Sequence, residues 1–399
     1  MKYSVVTFGC RVNQADSIAI EAALRAQGAV NVSPDEADLV IVNTCSVTAS
    51  ADQGARQTIR RIARNNPGVR VVVTGCYATR RPDELRALPN VVRVVSNTDK
   101  DDRANFIDDT GDGPCGHASE PGVAGRTALT LRVQTGCEES CSYCIIPQTR
   151  GPGRSLPLPM VLDRIHQAVG AGYKEVVITG VHLGSYGCDL DERTSLATLV
   201  HRLAHWDGEV LFRLSSLEPM DCTTEIVDLV AGSDRLAPHF HLPLQHGADA
   251  VLARMRRPYT AAFFQSLIER IHRVMPHAAI GSDLIVGFPG ETDDEFSATE
   301  LLLRDLPLSH VHVFPYSDRP GTDASVMSGK VDGATIRERG SRLRALGREM
   351  SASFRRAQQG TTRRALTVDD GRSAVTDNYV KVQLDRQYAR NEWIDVTIE

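Results

Sequence analysis

The sequence predicts an α/β protein that contains a parallel-sheet unit, a partial (β/α)6 barrel and a small terminal β module. Three observations support this fold class. Apolar runs alternate with amphipathic stretches over about the first hundred residues, the alternation resumes for six repeats after a polar break, and the end of the chain has only short strand-like runs. Nearly continuous apolar strands between helices are typical of a parallel sheet covered on both faces.

The first unit, residues 1–98, has three predicted strands with the sequences "YSVVTF", "DLVIVN" and "RVVVTG". A cysteine follows each of these strands, namely Cys10, Cys45 and Cys76. The carboxyl ends of parallel strands share one edge of the sheet, so these thiols can converge although they are about thirty residues apart. The alternative is three unrelated buried thiols, because free cysteine is a common core residue.

A polar, glycine-rich segment over residues 99–128 is predicted to be a linker, and Cys115 within it an exposed thiol. Residues 129–334 then supply six barrel strands, with the sequences "LTLRVQ", "EVVITG", "VLFRLSS", "HFHLPLQ", "AAIGSDLIVGF" and "HVHVFPY". A barrel of this kind forms its active site at the carboxyl ends of the strands. Thr292 and Glu295, three residues apart, predict a capping box at a helix start.

The last two segments differ in charge and pattern. Residues 335–364 carry nine arginines and two glutamates, which predicts a basic helical connector or, alternatively, an ordinary solvated helix face. Residues 365–399 contain short strand-like runs broken by turns. This β module is too small to be the main catalytic body of the protein.

The composition excludes several classes of protein. The chain has 399 residues, a net charge of -5 and 42% hydrophobic residues, and no apolar stretch approaches the 18 residues of a membrane span. The apolar run before Gly9 is too short for a signal peptide, so we expect a cytoplasmic protein without a membrane partner. In that reducing compartment, nine cysteines favour metal binding or redox chemistry over disulfides.

Three of these cysteines form a compact C-x3-C-x2-C motif: Cys137, Cys141 and Cys144. Structural zinc is held by four ligands, and a ferredoxin-type 4Fe–4S cluster by four cysteines. No fourth ligand with suitable spacing follows. Three thiolates on a four-iron cluster would leave one iron open to a substrate or cofactor.

This motif, with Tyr143 before its last cysteine and at the end of the first barrel strand, resembles that of radical S-adenosylmethionine (SAM) enzymes. The resemblance implies that Cys137, Cys141 and Cys144 bind a 4Fe–4S cluster whose open iron chelates SAM. It also implies that an electron from the cluster cleaves SAM to a 5′-deoxyadenosyl radical, which abstracts hydrogen from an unactivated carbon.

The whole chain is similar to the methylthiotransferase branch of these enzymes. The similarity rests on "FGCRVNQADS", "VNTCSVT", "VVVTGCYA", "SSLEP", "LPLQHGAD", "RMRRPYT", "VGFPGET" and "FPYSDRPGT". It implies a second 4Fe–4S cluster on Cys10, Cys45 and Cys76, and a TRAM-like RNA-binding fold for residues 365–399. The family usually reads "LPLQSGSD" where this chain has His246 and Ala248, which leaves the fine shape of the pocket open.

Among subgroups, the motifs most resemble the bacterial MtaB type. This resemblance implies that a methylthio group is added to C2 of N6-threonylcarbamoyladenosine beside the tRNA anticodon. The implied partners are the anticodon stem-loop of tRNA, an electron donor such as flavodoxin or ferredoxin, and a sulfur donor. Three alternatives stay open: the same reaction on isopentenyladenosine tRNA, on a ribosomal-protein aspartate, or a non-enzymatic iron–sulfur protein that binds RNA.

The resemblance also suggests contacts for SAM and for RNA. The implied SAM-site or substrate-site residues lie at strand ends and in the "GFPGE" turn: Tyr143, Gly180, Ser215, Glu218, Gln245, Gly287 and Gly290. The implied RNA contacts are Arg355, Arg356, Arg363 and Arg364. Each has a structural alternative, such as a tight turn for the glycines or a packed strand end for the polar residues.

Overall fold

The computed structural model describes residues 1–106, 121, 127–192 and 194–399. Most of the predicted linker, including Cys115, therefore lies outside the described residues. In the described part of that segment, Lys100 is buried and binds Asp16 of the N-terminal unit.

The N-terminal unit is a five-stranded parallel sheet in the order β2-β1-β3-β4-β5. It contains the three predicted strands and two further short ones. Its elements are β1 (Lys2–Thr7), α1 (Arg11–Ala26), β2 (Val30–Asn31), β3 (Leu39–Thr44), α2 (Ala49–Asn65), β4 (Arg70–Gly75), α3 (Cys76–Arg80), α4 (Pro82–Arg86) and β5 (Val91–Val94).

The sequence of β3 explains why helices cover both faces of this sheet. All six of its residues are buried. Val40 and Val42 pack into the hydrophobic cluster that contains Ile59 of α2, whereas Leu39 and Ile41 pack into the cluster that contains α1 residues. Alternation of side chains along a strand places the two pairs on opposite faces.

The central unit has six parallel strands, each at the position predicted from the sequence. They form two three-stranded sheets, β6-β9-β10 and β11-β12-β13, which single bridges Phe212–Leu236 and Ser216–His241 connect. The elements are β6 (Leu129–Arg132), β7 (Gln134–Thr135), α5 (Ile146–Arg150), β8 (Arg154–Ser155), α6 (Leu158–Gly170), β9 (Glu175–Thr179), α7 (Leu196–Ala204), β10 (Leu211–Leu214), α8 (Thr224–Ala231), β11 (His239–His241), α9 (Asp249–Arg254), α10 (Ala261–Val274), β12 (Ala279–Val286), α11 (Asp293–Asp305) and β13 (His310–Pro315).

The predicted capping box is confirmed at the start of α11. The Thr292 side chain accepts a hydrogen bond from the Glu295 backbone N–H, and the Glu295 side chain accepts one from the Thr292 backbone N–H. Two of the orphan donors of the helix N-terminus are satisfied in this way.

The C-terminal part is a long helix followed by an antiparallel sheet in the order β16-β15-β14-β17. Its elements are α12 (Gly333–Gln358), β14 (Thr362–Val368), β15 (Ser373–Thr376), β16 (Lys381–Gln383) and β17 (Trp393–Thr397). Because β14 begins at Thr362, Arg363 and Arg364 lie on a strand and not on the helical connector. Within the described residues, every helix is too short or too polar to cross a bilayer.

Candidate iron–sulfur and cofactor site

Cys137, Cys141 and Cys144, which we call the central trio, lie on one loop between β7 and α5. Backbone hydrogen bonds shape this loop: the Cys137 N–H donates to the Gly151 carbonyl at 3.0 Å, and the Cys144 N–H to the Cys141 carbonyl at 3.1 Å. All three thiols are half-buried. Burial, with smaller contributions from Cys141 and Cys137, raises the pKa of Cys144 to about 12, so the three sulfurs share one neighbourhood.

Charged side chains of both signs surround the central trio. Arg257 donates from Nη1 to the Cys141 Sγ at 3.1 Å and from Nη2 to the Glu218 carboxylate. His182 places Nδ1 3.9 Å from the Cys137 Sγ and Nε2 2.9 Å from Asp221 Oδ2. Asp221 and then the Cys137 sulfur raise the pKa of His182 to about 10.

Cys10, Cys45 and Cys76, the N-terminal trio, converge at the carboxyl edge of the parallel sheet as predicted. Cys10 is the N-cap of α1, Cys45 follows β3 and Cys76 opens α3. Burial raises the pKa of Cys45 to about 12, and Cys10 and Cys76 are close enough to add to the rise. Gly9 has φ +91°, and a Cβ there would lie 2.7 Å from the Cys45 Sγ, so only glycine permits this approach.

Arg150 joins the two trios. It ends α5, the helix that follows the central trio, and its side chain is 1% exposed. Nη2 donates to Asn13 Oδ1 at 2.6 Å and to Asp16 Oδ2 at 3.2 Å. Burial alone would lower the pKa of Arg150, but the nearby Cys76 and Asp16 raise it above its ordinary value. The helix that starts at one thiol site therefore ends against the other.

Asp16 of α1 is the shared anion at this junction. Besides Arg150 it binds Lys100 at 2.5 Å and Arg132 at 2.7 Å, and its side chain is 1% exposed. Burial alone would raise the pKa of Asp16, but Lys100, Arg150 and Arg132 hold it well below its ordinary value. This buried carboxylate ties the N-terminal unit to β6 and α5.

A cavity of about 1040 Å³ lies between the N-terminal unit, the central unit and the C-terminal part. Cys10 lines it from the N-terminal unit, Gly180 and Ser215 from the carboxyl ends of β9 and β10, and Arg355 and Tyr379 from the C-terminal part. Four histidines of β11 and β13 also face it: His239, His241, His310 and His312. Burial, followed by His241 and His312, lowers the pKa of His310 to about 4.

Two of the expected cofactor contacts lie on this cavity. Gly180 is braced by Gln134, whose Oε1 accepts from the Val181 and His182 N–H groups at 3.0 Å each. Ser215 is buried, and its hydroxyl has no hydrogen-bond partner among the described residues. A buried, unpaired hydroxyl beside a cavity suits a polar ligand, because such a group otherwise costs free energy.

The other expected cofactor contacts have packing roles in the structure. A Cβ on Gly287 would lie 2.3 Å from Ile336 of α12, so the helix itself requires a glycine there. Gly290 donates its N–H to the Gly329 carbonyl at 2.7 Å. Tyr143 packs edge-on against Phe288 at 6.5 Å between ring centroids. Glu218 binds Arg257, and Gln245 adopts φ +67° beside β12.

The four arginines that are expected to contact RNA differ in the partners that their side chains have within the protein. Arg363 forms a two-point ion pair with Asp377 at 2.6 and 2.7 Å. Arg364 lies over the Trp393 ring at 4.1 Å and 3.6 Å from Glu209. Arg355 donates to the Lys381 carbonyl, and Arg356 is exposed. The helix end therefore offers freer cations than the strand.

Sequence reasoning assigned no role to four residues at the site: His182, Arg257, Arg150 and Tyr379. Tyr379, in the turn between β15 and β16, packs 4.9 Å from the His239 ring and accepts a hydrogen bond from Arg11 at 3.0 Å. Each of these contacts joins residues far apart in the chain. The sequence carried a visible signal only for the cavity histidines of β11 and β13. The period of two in "HFH" and "HVH" places both histidines of each run on one face of the strand.

The residues fit the groups that three thiolates would hold. Soft thiolates suit iron–sulfur clusters, and hydrogen bonds to sulfur are usual around them. At the N-terminal trio, the Val47 N–H points at the Cys45 Sγ at 3.5 Å and the Asn97 amide at the Cys76 Sγ at 3.6 Å. At the central trio, the Glu139 N–H points at the Cys137 Sγ at 3.4 Å.

Comparisons with known proteins agree with this organisation. The family described as "Uncharacterized protein family UPF0004" matches residues 2–97, and the Radical SAM superfamily matches residues 131–303. The chain is 35% identical to a protein of Bacillus subtilis (strain 168) named threonylcarbamoyladenosine tRNA methylthiotransferase MtaB, over 94% of this chain and 88% of that protein. It is 32% identical to a tRNA-2-methylthio-N(6)-dimethylallyladenosine synthase of Lawsonia intracellularis, over 94% and 89%.

A solved structure shares the fold. The radical SAM methyltransferase TsrM from Kitasatospora setae, with tryptophan and a SAM analogue bound, matches with a TM-score of 0.58 and 17% identity. The match covers 82% of this chain and 75% of that chain. At this identity the likeness supports the fold alone.

Proposed function

This chain belongs to the MtaB-type radical SAM methylthiotransferases, and we propose that it adds a methylthio group to C2 of N6-threonylcarbamoyladenosine beside the anticodon of tRNA. The observation that carries the proposal is one cavity that meets the N-terminal trio and the loop end beside the central trio. Cys10 of the N-terminal trio lines the same cavity as Ile146, two residues after Cys144, and as Gly180 and Ser215 after β9 and β10. A substrate in that cavity would lie against residues from both units.

In this proposal, Cys137, Cys141 and Cys144 hold one 4Fe–4S cluster, and Cys10, Cys45 and Cys76 hold another. The clusters, with SAM, would supply radical and sulfur-transfer chemistry that side chains cannot perform. The chain's own residues orient and insulate that chemistry. Arg257 places a fixed positive charge 3.1 Å from the Cys141 Sγ, and Ser215 offers an unpaired hydroxyl to a polar ligand.

The choice of substrate is supported by the relatives and by the C-terminal part. Several proteins about 35% identical to this chain are named for threonylcarbamoyladenosine tRNA. We propose that the antiparallel sheet after α12 is a TRAM-like RNA-binding module, and that Arg355 and Arg356 contact phosphates of the anticodon stem-loop. An electron donor such as flavodoxin or ferredoxin, a sulfur donor and a cytoplasmic location complete the proposal.

The first test is mass spectrometry of tRNA nucleosides from cells that lack the gene. These cells are complemented with wild type, Cys141→Ala, or the control Cys188→Ala, which changes an exposed cysteine. We expect 2-methylthio-N6-threonylcarbamoyladenosine to return with wild type and the control but not with Cys141→Ala. If the cells that lack the gene lost the isopentenyl analogue instead, the proposed substrate would be wrong. If no methylthio nucleoside changed, the substrate would be a protein.

The second test counts iron in anaerobically reconstituted protein. We expect about eight irons per chain, and about four after Cys141→Ala or after Cys45→Ala. Wild type should cleave SAM with dithionite as reductant. A non-enzymatic iron–sulfur protein would carry the iron without cleaving SAM, and a zinc protein would be colourless.

A further inference from the structure

Three imidazoles meet on the inner face of β11 and β13, within the cavity and apart from the two thiol trios. We call His241, His310 and His312 the imidazole triad. Their ring centroids are 5.9, 5.7 and 5.4 Å apart, so the rings form a nearly equilateral triangle. One ring nitrogen of each lies within 4.8 Å of those of the other two.

The register of the strands creates this triangle. Gly281 of β12 pairs with His241 on one side and with His310 on the other. A Cβ on Gly281 would lie 2.2 Å from His310 Nε2 and 3.0 Å from His241 Nδ1. The missing side chain therefore lets the His310 ring and His241 Nδ1 approach each other across β12.

Hydrogen bonds leave one nitrogen of His241 and one of His310 available to a ligand. When the Ser309 hydroxyl donates to the Ile280 carbonyl at 3.0 Å, its contact with His310 Nδ1 at 2.9 Å is an N–H donation from the ring. The lone pair of His310 is then on Nε2. In the same way, His241 donates from Nε2 to Asp283 Oδ1 at 3.0 Å, which leaves its lone pair on Nδ1.

His310 Nε2 and His241 Nδ1 therefore lie next to each other beside Gly281. A ring that ligates a metal with one nitrogen usually donates its other N–H to a carboxylate or another oxygen acceptor. His241 with Asp283, and His310 with Ser309, have this arrangement. His312 is exposed, so its ring is free to turn toward the same point.

We propose that His241, His310 and His312 bind one divalent first-row transition metal ion of the Zn²⁺ type, with a fourth position open to the cavity. Imidazole suits this class of ion, and three protein ligands with one open position are typical of reactive zinc sites. A tetrahedral site with Zn–N bonds of about 2.0–2.1 Å needs nitrogens about 3.4 Å apart, so the three rings, whose nitrogens lie within 4.8 Å of one another, must close by a small rotation. The open position would accept water or an oxygen donor of the substrate.

This site differs from the thiol trios in its ligand chemistry, and that difference makes it testable. Zinc bound to imidazoles has Zn–N distances of about 2.0–2.1 Å, whereas zinc bound to thiolates has Zn–S distances of about 2.3 Å. The sample is reconstituted holoprotein with both trios filled with iron, dialysed anaerobically against Zn²⁺. Zinc and iron are counted per chain, and zinc X-ray absorption gives the bond lengths.

We expect about one zinc per chain, nitrogen or oxygen neighbours only, and no loss of iron. Gly281→Ala and His312→Gln should each weaken zinc binding at least about tenfold, the first by displacing the His310 ring and the second by removing a ligand. Asp283→Asn should weaken it about 10–100-fold because it removes the partner of His241. The control His205→Gln changes an exposed histidine at the C-cap of α7 and should bind zinc as wild type does.

Three results would overturn the proposal. Zinc–sulfur distances would place the ion at the cysteines, and no stoichiometric zinc would mean that the imidazoles act directly on the substrate. Equal affinity in wild type and His312→Gln would exclude the triad as the ligand set. None of these results bears on methylthiolation, because iron content and SAM cleavage are measured independently on the same sample.

Discussion

The two thiol trios present the same three ligands in opposite ways. The central trio lies within eight residues of one loop, so its spacing is fixed by local backbone hydrogen bonds. The N-terminal trio exists only when three parallel strands have assembled, since each cysteine follows a different strand. We therefore expect the N-terminal site to depend on the stability of its sheet, and the central site to depend on the charges that surround it.

The largest effect should come from Asp16→Asn, which attacks the support of the N-terminal trio. The substitution leaves Lys100, Arg132 and Arg150 without their shared buried anion. Removing one partner of a buried ion pair costs about 3–5 kcal/mol. We expect a loss of this size in the free energy of unfolding, measured with urea, and loss of iron from the N-terminal trio.

Asp101→Asn is the matched control, because Asp101 binds the same Arg132 at 2.6 Å but is 58% exposed. An exposed pair contributes less than about 1 kcal/mol. If the two variants had equal stability, the buried network would not be what supports the N-terminal site.

The second prediction concerns Gly9→Ala. The added Cβ would lie 2.5 Å from the Cys45 Cβ, so the Cys45 side chain must move. Overpacking of this kind costs about 1–3 kcal/mol, in addition to the cost of a left-handed backbone. We expect iron to fall by about half while SAM cleavage at the central trio continues.

Gly28→Ala separates packing from backbone strain. Gly28 also has positive φ, at +75°, but no atom of the described residues lies within 4 Å of the position of its Cβ. The Gly28→Ala variant should be destabilised only by the strained backbone, and it should keep its iron. Equal iron loss in both variants would mean that strain, and not the displaced thiol, empties the site.

The third prediction tests the electrostatic support of the central trio with Arg257→Gln. Arg257 is buried, and it contacts both the Cys141 Sγ and Glu218. Loss of such a supporting contact typically lowers metal affinity or activity about 10–100-fold. We expect slower tRNA methylthiolation and faster loss of iron to a chelator, with the N-terminal trio unaffected.

The neighbouring Arg256→Gln is its control. Arg256 is 49% exposed and pairs with Asp323 at the surface. Its methylthiolation rate should stay within about twofold of wild type. A similar loss in both variants would indicate a general effect of positive charge on RNA binding.

The comparison of the trios also explains what the sequence could reveal. The C-x3-C-x2-C spacing is local, and strand ends in a parallel sheet share an edge, so both trios and the six central strands could be predicted. The contacts of Arg150 with Asn13 and of Arg257 with Cys141 join residues 137 and 116 positions apart. No periodicity records such contacts, because tertiary packing alone decides them.

The same limit applies to residues that a motif suggested. The motif predicts that Gly287 approaches the cofactor, and the structure shows a further reason for a glycine there in Ile336 of α12. The resemblance predicts that Arg363 contacts RNA, and the structure shows that it pairs with Asp377 at 2.6 Å. A motif records that a residue type is required, whereas only the three-dimensional neighbours say which contact requires it.

The smallest effect should come from Glu295→Gln, at the capping box of α11. Arg254 lowers the pKa of Glu295 below its ordinary value of 4.5, so the carboxylate stabilises the fold above that pH and loses its contribution as the pH falls through the lowered value. We expect the variant to be about 0.5–1 kcal/mol less stable at pH 7, with the difference narrowing below pH 4.5. Urea unfolding at several pH values measures this.

This last variant also tests whether the central trio is self-contained. The Arg254 carbonyl accepts a hydrogen bond from the Ser142 hydroxyl at 2.8 Å, within the loop of the trio. Because that bond uses the backbone of Arg254 and not its side chain, weakening the Glu295 pair should leave the iron content unchanged. Glu349→Gln, on the exposed face of α12, is the matched control and should keep its iron. If Glu295→Gln lost iron from the central trio, that site would depend on distant packing as the N-terminal site does.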